Sequence, residues 1–262
     1  MDKLSAHDGF DSGTYGRSFA DVYDSWYPAD PSTTSAITRI STLAGPRGRI
    51  LELGVGTGRL AIPLVELGHE VVGMDASPEM LALLTEKAAE IDMTQLSGTL
   101  GDVGNPHDWP AGEFDAVVAA FNLIFNLGDE DSQRRAFAAA LDHLSANGSL
   151  IIEAFIPAPK DESAGPERNL ELRSVTADAV TLIATEMDPT SGVVRGQHIE
   201  MRDGEPLRLR PWHIRVATPA EMDSWAHDVG LVLVERHSDC DMSEFTELGT
   251  NHVSVYRRST ST

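Results

Sequence analysis

The chain of 262 residues is poor in cysteine, in positive charge and in long apolar runs. Its single cysteine, Cys240, excludes an intrachain disulfide and is compatible with a reducing compartment. Against 41 aspartates and glutamates stand 20 lysines and arginines, a formal net charge of −21. Because nucleic-acid phosphates and anionic membrane surfaces attract basic residues, neither is expected as a partner. No run of about 18 apolar residues occurs, so no membrane-spanning helix is expected.

The amino-terminal segment gives no sign of a targeting signal. Residues 1–13 contain three aspartates and no apolar stretch of the kind found in signal peptides. We therefore expect a flexible tail over residues 1–14 and a cytoplasmic protein. The nine histidines show no H-x-x-x-H or H-E-x-x-H spacing, and no metal site is expected.

The most informative segment is I-L-E-L-G-V-G-T-G-R, residues 50–59. Its pattern predicts a short buried strand, a glycine-rich turn and the start of a helix. Glycines at such a turn let a ligand lie against the backbone. A dinucleotide site needs the spacing G-x-G-x-x-G, and Arg59 stands where its third glycine would be. Glu52 would repel a pyrophosphate and could pair with an ammonium group, so an amino-acid-like ligand fits better than NAD.

Three further segments extend the pattern. The strand predicted at residues 70–75 ends in Asp75, 17 residues after Gly58, a spacing at which a carboxylate binds ribose hydroxyls. A third element ends in Asp102, which could accept a hydrogen bond from an exocyclic amine. The apolar run at residues 114–122 is typical of a buried parallel strand.

Strands and helices alternate along the first half of the chain, which predicts a parallel sheet with helices on both faces. A loop is expected over residues 157–172, followed by an antiparallel segment, a helix from Thr218 and two last strands. The predicted helices cover residues 18–26, 32–44, 58–67, 78–91 and 131–145. The predicted strands after the loop are Val175–Asp188, Val193–Arg202, Leu207–Ala217, Val232–His237 and His252–Arg257.

Together, E-L-G-V-G-T-G, V-V-G-M-D-A-S-P-E-M, G-D-V and F-D-A-V-V-A-A-F-N resemble the motifs of class I S-adenosylmethionine-dependent methyltransferases, in the family order, over residues 48–156. The resemblance implies an α/β fold, a Rossmann-like, doubly wound, mostly parallel seven-stranded sheet with an antiparallel β insertion after strand five. It implies a cofactor-binding core over residues 15–156 and 216–258. The insertion, residues 157–215, would cover the substrate, pair with a second subunit in a homodimer, or shield a face of the sheet.

The same resemblance assigns the S-adenosyl-L-methionine site. It places the glycine turn against the methionine part of the cofactor and Asp75 on the ribose. Ala76 and Met80 would flank the adenine, Asp102 and Val103 would meet its edge, and residues after the fourth strand would close the pocket. The expected cofactor-binding residues are Tyr23, Glu52, Gly54, Gly56, Gly58, Arg59, Asp75, Ala76, Met80, Asp102, Val103, Phe121 and Asn122.

Residues 15–24, 121–129 and 151–155 are similar to bacterial small-molecule methyltransferases, including the aminosugar N,N-dimethyltransferases. That likeness implies substrate-side roles for Tyr15 and His213. Asn126 is a third candidate, and it stands where the aminosugar enzymes have a histidine.

The sequence therefore predicts an enzyme that transfers a methyl group to N or O of a small-molecule acceptor, mainly by proximity and in-line orientation. Two alternatives remain at this point. The first is an NAD(P)-dependent oxidoreductase, and the second is a non-catalytic cofactor-binding protein of the same fold.

Overall fold

A computed structural model describes residues 9–90, 94–159 and 165–259. Its strands form two sheets, one of seven strands and one of four. In chain order the strands are β1 Arg49–Leu53, β2 Glu70–Asp75, β3 Leu96–Leu100, β4 Phe114–Ala119, β5 Leu144–Phe155, β6 Glu167–Val175, β7 Ala179–Met187, β8 Val193–Arg202, β9 Arg208–Arg215, β10 Leu231–His237 and β11 Asn251–Arg258.

The seven-stranded sheet has the order β10-β11-β5-β4-β1-β2-β3. Its neighbours are parallel except at β11, which runs antiparallel to both β5 and β10. From β1 the chain moves outward through β2 and β3, then returns to the other side with β4 and β5. A crevice therefore opens at the carboxyl ends of β1 and β4. This topology confirms the predicted doubly wound sheet.

Helices cover both faces of this sheet. They are α1 Thr14–Phe19, α2 Tyr23–Trp26, α3 Pro31–Ala44, α4 Ala61–Glu66, α5 Pro78–Glu90, α6 Glu130–His143 and α7 Pro219–Val229. One apolar cluster joins the sheet to α6 and α7, and a second joins it to α3, α4 and α5. Ile50 and Leu51 enter different clusters, as alternation along a strand requires. In the described part of the chain, none of these helices is long and apolar enough to cross a lipid bilayer.

The longer helices begin at side-chain caps. The Asp30 carboxylate accepts from the Thr33 N–H at 2.9 Å, and Pro31 follows in the first turn of α3. Thr218 and Glu221 form the equivalent reciprocal cap of α7, which ends at Gly230 in the left-handed region. These signals are local, which is why the starts of α3 and α7 were predicted well from the sequence.

The insertion after β5 is the four-stranded antiparallel sheet β6-β7-β8-β9. Three of its strands were predicted. The expected loop over residues 157–172 was wrong at its end, because β6 begins at Glu167. All nine residues of β6 are exposed. Charged side chains can therefore occupy positions that would be apolar in a buried strand.

The helix predicted over residues 18–26 is two short helices, α1 and α2, separated by a turn. Residues 1–8 of the predicted tail lie outside the described residues. Within the described part, Asp11 accepts from the Gly13 N–H at 3.0 Å and pairs with Arg17 at 2.7 Å. We call residues 14–27, which hold α1 and α2, the cover segment, because they lie over the crevice.

Candidate active site

The glycine turn after β1 is tied to the next strand of the sheet. The Gly54 and Val55 N–H groups both donate to the Met74 carbonyl, at 2.7 Å and 3.0 Å. Gly54 has φ +66°, and a Cβ there would lie 2.3 Å from a methyl carbon of Leu123. The turn therefore needs glycine both for its backbone conformation and for its close approach to Leu123.

Asp75 ends β2 beside this turn. One of its carboxylate oxygens accepts from the Gly56 N–H at 2.8 Å, and the other accepts from the Ser77 N–H at 2.8 Å. Burial raises the pKa of Asp75, while these backbone hydrogen bonds act in the opposite direction. The carboxylate is thus held in a fixed orientation, and its remaining lone pairs are available to hydroxyl donors.

Glu52 is a buried carboxyl with an unpaired oxygen. It lies on β1, is 5% exposed, and its Oε2 has no hydrogen-bond partner in the described part of the chain. Burial raises the pKa of Glu52 to about 8, and the nearby charge of Arg59 acts in the opposite direction. A cationic group next to Glu52 would compensate its ionised form.

Arg59 lies across the crevice in an aromatic setting. Its guanidinium carbon is 3.6 Å from the centre of the Phe121 ring and 5.6 Å from that of Tyr23. It donates at 3.4 Å to the Tyr23 hydroxyl and at 3.4 Å to the Tyr27 carbonyl. Its Nε is buried without a partner among the described residues. The guanidinium therefore retains a donor for an anionic ligand.

The backbone after β4 is held in an unusual conformation. Phe121 and Asn122 have φ +51° and +65°, which side-chain-bearing residues rarely adopt. The Phe121 N–H donates to a carboxylate oxygen of Glu153 at 3.3 Å, and the Asn122 N–H donates to the Glu153 carbonyl at 3.0 Å. The Asn122 Oδ1 accepts from the Phe155 N–H at 2.7 Å. These contacts place the Phe121 ring beneath Arg59.

The cover segment contributes aromatic side chains to the wall of the cavity. Tyr15 stacks on Phe19 with ring centres 4.6 Å apart and meets Tyr23 edge-on at 6.5 Å. Burial raises the pKa of both Tyr15 and Tyr23 above the ordinary tyrosine value. At neutral pH both phenols keep their protons, so they act as hydrogen-bond donors and walls rather than as bases.

The end of the crevice beyond Asp75 is more apolar. Met80, on α5, is 2% exposed, and Val103 is 6% exposed. The Asp102 Oδ1 accepts from the Gly104 N–H at 2.8 Å, and the Asp102 N–H donates to Asp108 at 2.9 Å. A flat aromatic ligand with an amine edge would meet apolar walls and one carboxylate here.

One cavity collects most of the predicted site residues. Its lining includes Tyr15, Tyr23, Glu52, Gly54, Gly56, Arg59, Asp75, Ala76, Met80, Asp102, Val103, Phe121 and Asn126. No site role was predicted for the other lining residues, which are Ser12, Gly16, Leu53, Val55, Ala120, Leu123 and Leu127. Leu123 and Leu127 follow β4 in a 3₁₀ turn, and nothing in their local pattern distinguishes them from core leucines.

Three predicted residues are placed differently. A Cβ on Gly58 would lie 2.5 Å from a methyl carbon of Leu84, so Gly58 packs against α5 rather than lining the cavity. The Asn122 side-chain oxygen accepts a hydrogen bond from the Phe155 N–H, and Asn122 is not among the residues that line the cavity. His213, on β9, lies against Gly128 and has its ring centre 5.1 Å from that of Phe10, beside the cavity rather than in its lining. Within the described residues, no group of three histidine, cysteine or acidic side chains is arranged to hold a metal ion.

Comparison with known proteins identifies the family. Residues 50–148 match the model of a family described as "Methyltransferase domain". The solved structure of the CcbJ methyltransferase from Streptomyces caelestis is 36% identical, has a TM-score of 0.87, and aligns over 96% of this chain and 100% of its own. CalS10 from Micromonospora echinaspora, an amino pentose methyltransferase solved with S-adenosylmethionine bound, shares the fold at 19% identity and a TM-score of 0.63, over 89% of this chain and 96% of its own.

Curated relatives match over shorter stretches. The glycine/sarcosine N-methyltransferase of Parasynechococcus marenigrum is 32% identical over 148 residues, which is 53% of this chain and 50% of the relative. The chain spans about half the length of the curated relatives it matches. The full-length match to CcbJ, together with the motifs in the crevice, settles the family: the chain is a member of the S-adenosylmethionine-dependent methyltransferases.

Proposed function

We propose that this protein transfers a methyl group from S-adenosyl-L-methionine to N or O of a small-molecule acceptor. The observation that carries the proposal is the pair of unsatisfied buried groups in one cavity, Glu52 Oε2 and Arg59 Nε. A buried carboxylate oxygen and a buried guanidinium N–H that lack partners among the described residues are complementary to a ligand with an ammonium and a carboxylate. S-adenosylmethionine carries both groups on its amino-acid end.

The remaining lining fits the rest of the cofactor. Asp75 would hold the ribose hydroxyls, and Ala76, Met80, Asp102 and Val103 would surround the adenine. The glycine turn admits the ligand close to the backbone because Gly54 and Gly56 have no Cβ. When bound, the cofactor supplies an activated methyl group on its sulfonium.

The protein's own contribution is to hold the acceptor atom close and in line. Positioning of this kind supplies roughly 7–11 kcal/mol of the barrier. Tyr15 and Asn126 line the cavity and can donate hydrogen bonds to an acceptor, and His213 lies against Gly128 beside it. Leu123 and Leu127 add apolar surface to the lining.

An amine acceptor suits this lining better than a hydroxyl. A hydroxyl needs a base to remove its proton during the transfer, whereas an amine that binds in its unprotonated form presents a lone pair, and its methylated product releases the extra proton to solvent afterwards. Tyr15 keeps its proton at neutral pH, and Asn126 cannot take one. We therefore propose N-methylation first, with O-methylation assisted by His213 as the second candidate.

The two alternatives are weaker. An oxidoreductase would have to place a dinucleotide pyrophosphate near the Glu52 carboxylate, and the comparisons give that class no support. A non-catalytic binding protein would share the cofactor contacts, so turnover on an acceptor is the observation that separates it from an enzyme.

The first experiment is calorimetric titration with S-adenosylhomocysteine, with NAD and the Asp75→Ala variant as controls. We expect micromolar affinity for the native chain, loss in the variant and no binding of NAD. Failure of the native chain to bind would overturn the proposal. Two acceptors that differ only in carrying an amino group or a hydroxyl group on the same ring carbon would then distinguish N-methylation from O-methylation.

The insertion offers a surface for a homodimer. Leu172, Leu182, Ile199 and Leu209 are paired in register across its four strands and therefore share one face. The outer members, Leu172 and Leu209, are 60% and 53% exposed. Four strands of eight to ten residues present a face of roughly 500–600 Å². Two such faces together bury about 1,000 Å² or slightly more, the lower end of the range for a specific interface.

We propose that a second copy covers this face. Light scattering should give a dimer mass for the native chain and a monomer mass for the Leu172→Lys/Leu209→Lys variant. A variant with lysines at the exposed Leu67 and Leu248, which lie outside the insertion, is the matched control. A monomeric native chain would overturn this assembly without affecting the proposed reaction.

For the chain as a whole we propose a cofactor-binding core over residues 15–156 and 216–258, with residues 157–215 as the insertion. We propose a cytoplasmic location, a compartment in which the single thiol of Cys240 stays reduced. Burial raises the pKa of that thiol to about 12, so it is also poorly reactive.

A further inference from the structure

One buried arginine attaches the cover segment to the insertion. Arg210, on β9, is 1% exposed. It donates to the Asp21 carboxylate at 2.6 Å and 3.1 Å, to the Ser18 carbonyl, and to the Glu200 carboxylate on β8. Ser18 and Asp21 belong to the cover segment, so a single guanidinium joins elements almost two hundred residues apart in sequence.

Three further side chains surround the ion pair between Arg210 and Asp21. Arg208 also pairs with Asp21, at 2.8 Å, but its side chain is 53% exposed. His198, the histidine beside Arg210, stays neutral because burial, with Arg173 nearby, lowers its pKa to about 4. The Trp26 ring centre lies 5.5 Å from the Arg210 guanidinium carbon. A charge buried in this way is held by its partners, and losing one of them is costly.

Of the two elements that Arg210 joins, the cover segment is the one that lines the cavity. It contributes Tyr15 and Tyr23 to the lining. Strand β9 contributes no residue to that lining, and its His213 lies against Gly128, the residue after the lining residue Leu127. Arg210 therefore fastens one wall of the cavity to the insertion, which lies outside it.

The cavity is narrow in this structure and partly open to solvent. It measures about 120 Å³, whereas small-molecule sites usually have roughly 300–1,000 Å³. A ligand of nucleoside size therefore requires the cavity to widen, and the cover segment forms one of its walls. Two further ion pairs of the cover segment, Asp21 with Arg208 at 2.8 Å and Asp24 with Lys87 at 2.7 Å, have exposed side chains and contribute little.

We propose that Arg210 is a positioning residue that holds the cover segment against β9 of the insertion, and that its separation from Asp21 controls the exchange of the cofactor. The inference rests on the proposed function, because it takes this cavity to be the cofactor site. It adds a dependence of cofactor release on the insertion that the cofactor contacts alone do not provide.

The test uses the full-length protein and two readouts. The first is the dissociation rate of S-adenosylhomocysteine, measured by stopped-flow displacement. The second is amide hydrogen exchange of residues 14–27 in the ligand-free protein. The variants are Asp21→Asn, which keeps the shape of the side chain, and Arg210→Lys, which cannot form the same fork of hydrogen bonds.

The matched controls are Arg236→Lys and Asp223→Asn. Arg236 is also largely buried, pairs with Asp223 at 2.6 Å, and neither residue lines the cavity. We expect Asp21→Asn to raise the dissociation rate about tenfold and to speed exchange across residues 14–27. We expect the control pair to lower thermal stability and leave both readouts unchanged.

The outcomes separate the two proposals. If the native chain does not bind S-adenosylhomocysteine, the proposed function fails. If it binds, and Asp21→Asn leaves the dissociation rate unchanged or raises it no more than Arg236→Lys does, the positioning role of Arg210 is overturned. Should Arg210→Lys fail to fold, the exposed partner variant Asp21→Asn still decides the question.

Discussion

Gly16 of α1 and Ser77, the residue before α5, are in such close contact that no side chain fits between them. A Cβ on Gly16 would lie 2.2 Å from the Ser77 Cβ and 3.2 Å from the Cγ of Met80. The position of the cover segment next to α5 therefore depends on the absence of a Cβ at Gly16.

The first prediction concerns this contact. Gly16→Ala should push α1 away from α5 and weaken S-adenosylhomocysteine binding by about tenfold, since overpacking at such sites costs roughly 1–3 kcal/mol. Calorimetric titration measures the effect, and Ser18→Ala on the same helix is the control. Equal affinities for the two variants would contradict the contact as described.

The second prediction concerns Arg59. Replacing it with glutamine removes the cation but keeps a polar side chain, and we expect S-adenosylhomocysteine to bind about 10- to 100-fold more weakly. 5′-Methylthioadenosine lacks the amino-acid end, so its affinity should not change. Arg134→Gln, at an exposed arginine paired with Glu130, should alter neither affinity. Equal losses for both ligands would show that Arg59 supports the fold rather than the carboxylate.

The third prediction is a pH dependence that originates at Glu52. Its pKa of about 8 means that the ligand-free protein holds a proton there at neutral pH. Pairing with an ammonium group requires the ionised form, so the affinity should rise with pH up to about 8, by as much as tenfold per unit, and then level off. Titrations in buffers of different ionisation enthalpy should detect proton release, and Glu52→Gln should abolish it. A flat profile for the native chain would contradict this assignment.

The same group affects stability with the opposite sign. Glu52 titrates near 4.5 when unfolded and near 8 when folded. Between those values the folded state binds more protons, so ligand-free stability falls as pH rises from about 4.5 to 8. Glu52→Gln should remove that part of the slope, as measured by urea unfolding across the range. A bound ammonium group should offset the loss.

The fourth prediction separates backbone from side chain at Asn122. A backbone φ of +65° has a small free-energy cost for asparagine, none for glycine and a larger one for alanine. We expect Asn122→Ala to lower the free energy of unfolding by about 2–3 kcal/mol, and Asn122→Gly to lose about 1 kcal/mol for the bond to Phe155. Chemical denaturation measures both. If the two variants are equally stable, the backbone carries no strain.

The part of the cavity lining around the glycine turn could be predicted because its signals are local. The Gly54 turn, the carboxylate at Asp75 and the cap at Ser77 are each encoded within a few residues, and parallel strands bring their carboxyl ends together. Gly58 belongs to the same glycine pattern yet packs on Leu84, because the motif does not reveal which glycine faces the ligand.

The acceptor half depends on contacts between distant segments. Nothing near Arg210 indicates that it is buried, since its partners lie in the cover segment and on β8. Strand β6 was missed because the prolines and the glycine of residues 157–166 predict a loop, which was extended to residue 172, although the alternation of Leu170, Glu171 and Leu172 is itself typical of a strand. Likewise, the predicted helix over residues 18–26 breaks where Asp21 turns toward Arg210.

Strand β9 serves three surfaces within five residues. Leu209 belongs to the outer face, Arg210 contacts the cover segment, and His213 lies against Gly128 beside the cavity. Because side chains alternate along a strand, a shift of one residue would turn the arginine outward and bury the leucine. Insertions and deletions should therefore be tolerated in the turn over residues 203–207 but not in β9, and we expect substitutions made in this strand to alter acceptor choice to change cofactor release as well.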